Sequence, residues 1–455
     1  MESSQKVVTR FAPSPTGKLH CGAYRTAIFA YLYARKHDGT FILRIEDTDK
    51  ERSNKADEDN ILDSLTWLGL EHDVFVRQSE NVDRHRAVLE KMITDGHAYI
   101  SKEEAKDGSG VIKEIVRFKN PNINVSFHDE IKGVVTMNTT DLNDFVIAKN
   151  INEPLFHLAV VVDDFDEGVT HVIRGEDHVS NTPRQILIQR AIGAPTPIYA
   201  HLPLVLGEDK QKLSKRKGAL AVTEYRERGY LPEALLNMVA MVGWNPGTEQ
   251  ELFTKQGLID TFDLAKVQKS PAVFNPEKLD WFNRQYIKDL EAQYSNDFFK
   301  KYASGFIPHP IQNWLNNATE IQKNLFQEII IDRIAKFSDI QTLFDIGEFD
   351  YLFKDPNINK EMLIWKGLKD DPEGLINTVA YLHAVYECLK DISEDSWNSD
   401  SVKNALWEFV EKEGKGNVLW PLRVALSGKE KSPDPFELAT LLGKETTLRR
   451  ITVVL

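Results

Sequence analysis

Cysteine is nearly absent from this 455-residue sequence, which contains only Cys21 and Cys388. Two cysteines cannot supply the disulfide framework that stabilises many small secreted proteins. Their scarcity is typical of a protein that works in a reducing compartment, and we expect the protein to be cytoplasmic.

Long apolar segments are also missing. No apolar run reaches the roughly 18 residues that a membrane-spanning helix needs, and residues 1–6 are polar and lack the apolar core of a signal peptide. Hydrophobic residues make up 42% of the chain and charged residues 27%, which is typical of a soluble globular protein. At roughly 100–200 residues per domain, the length predicts two to four domains.

The sequence has no excess of positive charge, because 69 Asp and Glu residues outnumber 56 Lys and Arg residues and give a formal net charge of −13. This argues only weakly against a nucleic-acid partner, since phosphate contacts depend on local basic patches rather than on total charge. A nucleic-acid-binding protein of this composition must concentrate its basic residues on one face.

The first fifty residues carry the clearest structural pattern. Residues 7–11 are β-branched and aromatic and predict a strand, residues 13–17 form a Pro/Gly turn, and residues 22–37 have helical periodicity. Residues 41–45 predict a second strand, so the segment is a βαβ unit that opens a parallel sheet. Ligands of such sheets bind at the carboxyl ends of the strands, where both the turn and residues 46–49 lie.

The turn has features that suit an anionic ligand. Gly17 and Gly22 let the ligand approach the backbone, and the start of the helix supplies free N–H groups and the positive end of a dipole. Thr16 and His20 can donate hydrogen bonds to phosphate oxygens. A plain strand–helix turn is the alternative that this segment alone leaves open.

A second basic motif lies near the middle of the chain. Residues 210–217 contain five Lys and Arg side chains in eight positions. Taken alone, this segment is an ordinary solvated basic loop. Together with the turn, it predicts a mobile clamp on phosphate groups.

The two motifs together resemble the "HIGH" and "KMSKS" signatures of class I aminoacyl-tRNA synthetases, which here read His20-Cys21-Gly22-Ala23 and Lys212-Leu213-Ser214-Lys215-Arg216. The sequence resembles in particular the bacterial-type glutamyl-tRNA synthetases. That resemblance is carried by residues 10–49, 172–178, 180–185, 225–232, 269–274 and 421–428. It therefore covers nearly the whole chain, and the order and spacing of the motifs make it specific.

The resemblance implies an α/β fold: a doubly wound, Rossmann-like catalytic domain with an α+β insertion and an all-α C-terminal anticodon-binding module. We expect residues 1–96 and 157–206 to form the two halves of the catalytic fold. The expected insertion at 97–156 binds the acceptor end of tRNA. Residues 207–305 hold the KMSKS-type loop and a stem-contact region, and residues 306–455 form the anticodon-binding domain.

Several elements are predicted from local patterns within this arrangement. The apolar run at residues 158–162 predicts a buried parallel strand, and residues 171–174 and 201–206 predict two more. Residues 182–191 predict a helix with Pro at its start. Amphipathic patterns after a linker at 305–310 predict helices at 325–337, 372–389, 401–411 and 436–442.

The implied reaction is the ligation of L-glutamate to tRNA(Glu) through a glutamyl-adenylate, with release of AMP and diphosphate. Its substrates are ATP, which brings Mg²⁺, glutamate and tRNA. The family suggests a monomer. The sequence does not decide whether the enzyme also charges tRNA(Gln).

The resemblance also implies roles for particular side chains on ATP. The candidate catalytic residues are Thr16, His20, Lys212, Lys215 and Arg216. The candidate ATP-binding residues are Pro13, Gly17, His20, Gly22, Glu176, Asp177, His178 and Lys215. A metal-binding role for residues 176–178 is disfavoured, because adjacent strand positions point to opposite faces.

Glutamate carries two carboxylates, and guanidinium groups pair with carboxylates in a bidentate geometry. By resemblance, the candidate glutamate-binding residues are Arg10, Ala12, Ser14, Glu46, Phe156 and Arg174. Arg10 is the candidate for the side-chain carboxylate, and Glu46 for the ammonium group.

The sequence departs from the family pattern in three ways. Cys21 and Ala23 replace the second and last residues of the first motif, and we interpret Cys21 as a small buried residue. Phe156 replaces a tyrosine that family members place in a strand before the apolar run, which removes a hydroxyl donor. Many relatives carry a cysteine-rich zinc site in the insertion, where this chain has no cysteine, and we predict no zinc.

The sequence argues against four alternative functions. A glutaminyl-tRNA synthetase usually carries a β-barrel anticodon module, and a shortened relative that modifies a tRNA base lacks a C-terminal domain. A catalytically inactive tRNA-binding paralogue would have lost His20 or Lys215, and both are present. The Gly-x-x-x-x-Gly-Lys-[Ser/Thr] sequence of P-loop enzymes does not occur.

Overall fold

The structure is a computed structural model that describes residues 6–104, 111–213, 220–294 and 298–455. The chain divides into an N-terminal unit, Met1–Phe282, and a C-terminal unit, Asn283–Leu455. No helix among the described residues is both long enough and apolar enough to cross a membrane.

The N-terminal unit opens with the predicted βαβ pattern. Its first elements are β1 (Val8–Phe11), α1 (Cys21–Lys36), β2 (Thr40–Ile45), α2 (Lys55–Trp67), β3 (Val74–Arg77) and α3 (Val82–Thr94). β1 and β2 pair in parallel, as do β2 and β3. Most of α1 is buried, because it packs against β1 and β10 (His171–Gly175) as well as against later helices of this unit.

The following segment contains β4 (Ala98–Glu104), β5 (Ile112–Phe118), β6 (Asn124–Asp129), β7 (Gly133–Asn138), β8 (Phe145–Asn150) and β9 (Glu153–Pro154). These strands fall into two sheets. β4, β5, β8 and β9 form an antiparallel sheet of their own. The β6–β7 hairpin instead joins the central sheet, where Asp129 pairs with Tyr199 of β11 (Ile198–Leu202). Part of the expected insertion therefore belongs structurally to the catalytic sheet.

The second half of the unit contains α4 (Phe156–Asp166), then β10, α5 (Thr182–Ile192), β11 and β12 (Val205–Leu206). Its later elements are α6 (Val222–Glu227), α7 (Pro232–Ala240), α8 (Lys255–Thr261), β13 (Ala272–Val273) and α9 (Pro276–Tyr294), within which the division between the units falls. In the described part of the chain, the central sheet has seven strands in the order β3-β2-β1-β10-β11-β6-β7. The pairings from β3 to β6 are parallel and β7 pairs antiparallel with β6, and this doubly wound, mostly parallel sheet confirms the predicted fold class.

Two predictions about this half were wrong. Residues 158–162 lie inside α4 rather than in a strand, and Phe156 is the first residue of that helix. A short, fully apolar run fits a buried helix as well as a buried strand, and here each of these five residues is at most 2% exposed. Residues 176–178 lie in a 3₁₀ turn, Glu176–Asn181, so the argument from alternating strand faces does not apply to them.

The described residues of the C-terminal unit form helices, as predicted for this module. They are α10 (His309–Asn317), α11 (Glu320–Ile331), α12 (Asp339–Asp345), α13 (Lys360–Leu363), α14 (Gly374–Leu389), α15 (Ser399–Glu413), α16 (Lys415–Ser427) and α17 (Pro435–Val454). α11 starts earlier than predicted, because Thr319 and Gln322 form a capping box at its start. It also ends earlier, at Ile331. α17 continues well beyond residue 442 and is broken at Gly443, whose φ is 75°.

Candidate active site

A cavity of about 420 Å³ opens at the carboxyl ends of β1 and β10 in the N-terminal unit. The turn after β1, the start of α1, the 3₁₀ turn after β10 and the segment around β12 contribute to its walls. It brings together the following predicted site residues: Arg10, Ala12, Pro13, Ser14, Thr16, Gly17, His20, Gly22, Arg174, Asp177, His178 and Lys212. The carboxyl edge of the parallel sheet is thus the position of the cavity, as the βαβ pattern predicts.

Three predicted site residues do not line this cavity, namely Glu46, Phe156 and Glu176. The ring of Phe156 lies beside that of His178, with centroids 5.8 Å apart. The carboxylate of Glu176 accepts a hydrogen bond from the backbone N–H of Leu204 at 2.8 Å and also pairs with Lys132. Glu176 therefore fastens the 3₁₀ turn to neighbouring segments. Lys215 and Arg216 lie outside the described residues.

The turn after β1 is held from outside by the segment that starts α2. The backbone N–H of Asn54 donates to the carbonyl of Pro15 at 3.1 Å, and that of Glu46 donates to the carbonyl of Pro13 at 3.0 Å. His20 is the N-cap of α1 and lies on the cavity wall with the first turn of that helix. The positive end of the α1 dipole therefore faces the cavity and favours an anion there.

Cys21 lies on the buried side of the same turn. Its side chain is 1% exposed, and burial raises the pKa of its thiol to about 11. Cys21 is thus a small buried residue, as interpreted from the sequence, and its thiol is protonated at neutral pH.

Lys212 also lines the cavity. A short antiparallel pairing holds its segment against β12, in which the backbone N–H of Leu213 donates to the carbonyl of Val205 at 3.0 Å. This segment adds a basic residue to a cavity that the start of α1 also lines. A lysine and a helix N-terminus in one cavity both favour an anionic ligand.

Arg10 enters the cavity as part of a buried ionic network that the sequence did not reveal. Its Nε lies 3.2 Å from the carboxylate of Asp164 on α4, and a second oxygen of that carboxylate lies 3.5 Å from Nη2. Asp164 also lies 2.8 Å from Arg44 of β2. Burial alone would raise the pKa of Asp164, but the two guanidinium groups outweigh burial and lower it.

Arg44 is fully buried behind the cavity and lies within 4 Å of four carboxylates. Their distances are 2.7 Å to Glu167, 2.8 Å to Asp164, 3.3 Å to Glu46 and 3.9 Å to Asp163. Burial would lower the pKa of Arg44, but these carboxylates raise it. The network joins β1, β2 and α4 around Arg10 and Glu46.

Arg174 is held in a different way. Its Nε donates to Nε2 of His201 at 3.1 Å, and its Nη2 donates to the hydroxyl of Thr182 at 2.9 Å. Its guanidinium group lies over the ring of Tyr199, 5.4 Å from the centroid. Burial lowers the pKa of Arg174 to about 10. Among the described residues, no carboxylate lies within 4 Å of this guanidinium group.

The sequence reasoning missed Arg25, Arg44, Asp164 and His201. Arg25 lines the cavity wall, where its Nη1 donates to the carbonyl of Pro203 at 2.6 Å. Asp164 was visible only as an acidic residue that follows an apolar run. A buried charge needs a partner, but that partner is distant in sequence, so only the fold identifies the pair.

Comparisons with known proteins follow the same division of the chain. The model of the family "tRNA synthetases class I (E and Q), catalytic domain" matches residues 6–107 and 100–281, and that of the "Anticodon binding domain" matches residues 284–455. The glutamate–tRNA ligase of Aquifex aeolicus is 40% identical over 99% of both chains, and that of Methylobacillus flagellatus is 39% identical over 99% of both.

Solved structures agree with these matches. The crystal structure of a glutamate–tRNA ligase from Elizabethkingia meningosepticum, in complex with its amino acid, is 29% identical over 99% of both chains with a TM-score of 0.83. The glutamate–tRNA synthetase from Elizabethkingia anophelis gives the same identity, coverage and TM-score.

The network around Arg44 predicts a pH-dependent stability. Burial raises the pKa of Glu167 from 4.5 to about 7, so the folded protein binds a proton that the unfolded chain has already released. Because the folded pKa is the higher one, this proton stabilises the folded state below about pH 4.5, and the stabilisation is lost as the pH rises through 7. The substitution Glu167→Gln removes this titration.

Between pH 4.5 and 8, we expect the wild type to lose up to about 3 kcal/mol of unfolding free energy that E167Q does not lose. The free energy of unfolding of E167Q therefore rises relative to that of the wild type. Urea unfolding at a series of pH values measures the difference. Glu90→Gln, on the exposed side of α3, is the matched control and should follow the wild type. A constant difference between E167Q and the wild type would contradict the raised pKa.

Proposed function

This chain belongs to the glutamate–tRNA ligase family of class I tRNA synthetases, and from that membership we propose how the cavity acts on its substrates. The activity is the ATP-dependent ligation of L-glutamate to tRNA. The α-carboxylate of glutamate attacks the α-phosphate of ATP, which forms glutamyl-adenylate and releases diphosphate. The terminal ribose hydroxyl of tRNA then attacks the mixed anhydride and releases AMP.

One observation carries the assignment of this reaction to the cavity. A turn suited to phosphate, Lys212 and the buried residues Arg10 and Arg174 share a single space of about 420 Å³. The reaction needs no protein nucleophile, so its rate depends on in-line positioning and on stabilisation of charge on the phosphates. The cavity supplies donors and cations for both tasks.

On the ATP side, His20 and Thr16 bind the triphosphate from the start of α1, and Lys212 binds it as well. Lys215 and Arg216 complete the clamp by resemblance to the family motif. The remaining contacts with ATP are made by Pro13, Gly17, Gly22, Asp177 and His178. Glu176 acts indirectly, because its carboxylate is occupied by Leu204 and Lys132.

On the glutamate side, Arg10 and Arg174 pair with the substrate carboxylates, and Ala12 and Ser14 line the space between them. Glu46 receives the ammonium group and is itself oriented by Arg44 at 3.3 Å. Phe156 closes the pocket behind His178 without a hydroxyl donor, which is supported by the 5.8 Å separation of the two rings.

We assign the contacts with tRNA to the segments that the sequence predicts. Residues 97–156 bind the acceptor end beside the cavity, residues 207–305 contact the stem, and residues 306–455 bind the anticodon. The match of the anticodon-binding family to residues 284–455 supports the last of these assignments. The enzyme is a cytoplasmic monomer in this proposal.

Mg²⁺ enters as the counterion of ATP, and the protein holds no structural zinc. Among the described residues, no group of three or more His, Cys, Asp or Glu side chains is arranged to hold a metal ion. Elemental analysis of protein purified without added metal tests this prediction. Stoichiometric zinc in that protein would contradict it.

Charging assays test the function directly. Purified enzyme, ATP, Mg²⁺ and glutamate are combined with tRNA(Glu) and tRNA(Gln) in parallel. Charging of tRNA(Glu) is expected, and charging of tRNA(Gln) as well would identify an enzyme of relaxed specificity. Charging of neither tRNA by folded protein would contradict the proposal and favour an inactive tRNA-binding paralogue.

The substitution Arg10→Ala tests the glutamate pocket. Loss of a charge-assisted hydrogen bond to a carboxylate costs about 2–3 kcal/mol, so the KM for glutamate should rise roughly 30- to 150-fold while the KM for ATP changes little. Asp164 keeps its pair with Arg44 in this variant. Arg84→Ala, which removes an exposed ion pair with Asp166, is the control. Equal increases of both KM values would contradict the assignment.

A further inference from the structure

A buried chain of hydrogen bonds connects the β6–β7 hairpin to Arg174. The carboxylate of Asp129, at the end of β6, lies 2.6 Å from Nδ1 of His201 on β11. On the other side of the same ring, Nε2 of His201 accepts the hydrogen bond from Nε of Arg174 at 3.1 Å. Asp129 and His201 are both 0% exposed. Water is therefore excluded from the link between the hairpin and the cavity wall.

The geometry of this chain determines where its protons lie. The backbone N–H groups of Ile131 and Lys132 donate to Oδ1 of Asp129 at 3.0 and 2.8 Å, and that of His201 donates to Oδ2 at 3.1 Å. Burial alone would raise the pKa of Asp129, but these hydrogen bonds and that from His201 lower it. An ionised carboxylate only accepts hydrogen bonds, so Nδ1 of His201 carries the proton that faces it.

The opposite side of the ring must then be an acceptor. Arg174 only donates hydrogen bonds, so Nε2 of His201 has to present a lone pair to it. Burial lowers the pKa of His201, although the bond to Asp129 opposes this effect. A protonated ring would direct a second N–H group at the guanidinium group. The ring is therefore neutral, and its tautomer is determined by Asp129.

We propose that Asp129 and His201 are positioning residues that hold Arg174 as an oriented cation without a paired anion, so that its charge is available to a carboxylate of glutamate. The proposal rests on the glutamate-binding role assigned to Arg174 above. Thr182 assists, because its hydroxyl accepts from Nη2 of Arg174 and donates to the carbonyl of His178.

The comparison with Arg10 shows what this arrangement achieves. Arg10 lies 3.2 Å from Asp164, so a substrate carboxylate at Arg10 meets a guanidinium group whose charge is already partly balanced. Arg174 has neutral acceptors at the corresponding positions. A carboxylate in place of His201 would orient Arg174 equally well but would compete with the substrate for its charge. A neutral imidazole orients the guanidinium group and leaves the charge unbalanced.

The test uses two substitutions of His201 that differ in reach. Gln can place its Oε1 near the position of Nε2, whereas the shorter Asn cannot. In aminoacylation assays, H201N should raise the KM for glutamate about tenfold, with kcat and the KM for ATP within about twofold of the wild type, since one positioning hydrogen bond is lost. H201Q should restore the KM for glutamate to within about threefold of the wild-type value.

Asp129→Asn provides a second, isosteric variant in case H201N does not fold. Its amide cannot stabilise the proton on Nδ1 as the carboxylate does, so the acceptor for Arg174 is lost and the KM for glutamate should rise in the same way. Equal KM values for glutamate in H201Q and H201N, or an unchanged value in D129N, would overturn the proposal. A parallel rise in the KM for ATP would also overturn it, because it would indicate a general distortion of the cavity.

Arg174→Ala separates failure of this inference from failure of the proposed function. If R174A leaves the KM for glutamate unchanged, Arg174 does not bind glutamate, and the proposed role and the inference fail together. If R174A raises that KM strongly while H201N and D129N do not, the glutamate-binding role stands and only the positioning role fails. Thermal unfolding of each variant confirms that folded proteins are compared.

Discussion

The catalytic cavity depends on the carboxylate of Asp164, which lies between the guanidinium groups of Arg10 and Arg44. A charge taken out of water costs several kcal/mol unless it is paired and hydrogen-bonded. The three side chains satisfy one another, and they come from β1, β2 and α4. Removal of Asp164 would leave the buried guanidinium group of Arg10 without a carboxylate within 4 Å among the described residues, so the relative positions of these elements are strongly constrained around the cavity.

Arg10 and Arg174 illustrate two ways to orient a buried guanidinium group at the cavity. Arg10 is oriented by an anion, which lowers the free-energy cost of its burial but partly balances its charge. Arg174 is oriented by a neutral ring and a hydroxyl, which leaves its charge exposed to the substrate but makes its burial costly, as the lowered pKa of about 10 reflects. In the proposed function, a carboxylate of glutamate balances the charge of Arg174. An unbalanced guanidinium group on the cavity wall favours an anionic ligand.

The sequence predicted the elements whose signals are local. The β1–α1–β2 unit has period-two and period-3.6 patterns with clear Gly and Pro boundaries, and the motif residues 10–22 and 212 converge on the cavity. The strand predicted at 158–162 was wrong, because five consecutive apolar residues carry no periodicity that distinguishes a strand from a helix. Asp129 and His201 could not be paired from the sequence, since 72 residues separate them and only the parallel pairing of β6 with β11 brings them together.

The strand order of the central sheet has a consequence for synthesis of the chain. β1 has β2 on one side and β10 on the other, and β6 has β11 as its parallel neighbour. A ribosome that has made the first hundred residues has produced β1, β2 and β3 but not β10, which pairs with the other edge of β1. The sheet around the cavity can form only after residues 171–202 have emerged from the ribosome. Until then, one edge of β1 has no partner strand. In the C-terminal unit, α14, α15, α16 and α17 all pack against one another, so this packing is complete only when α17 has been synthesised.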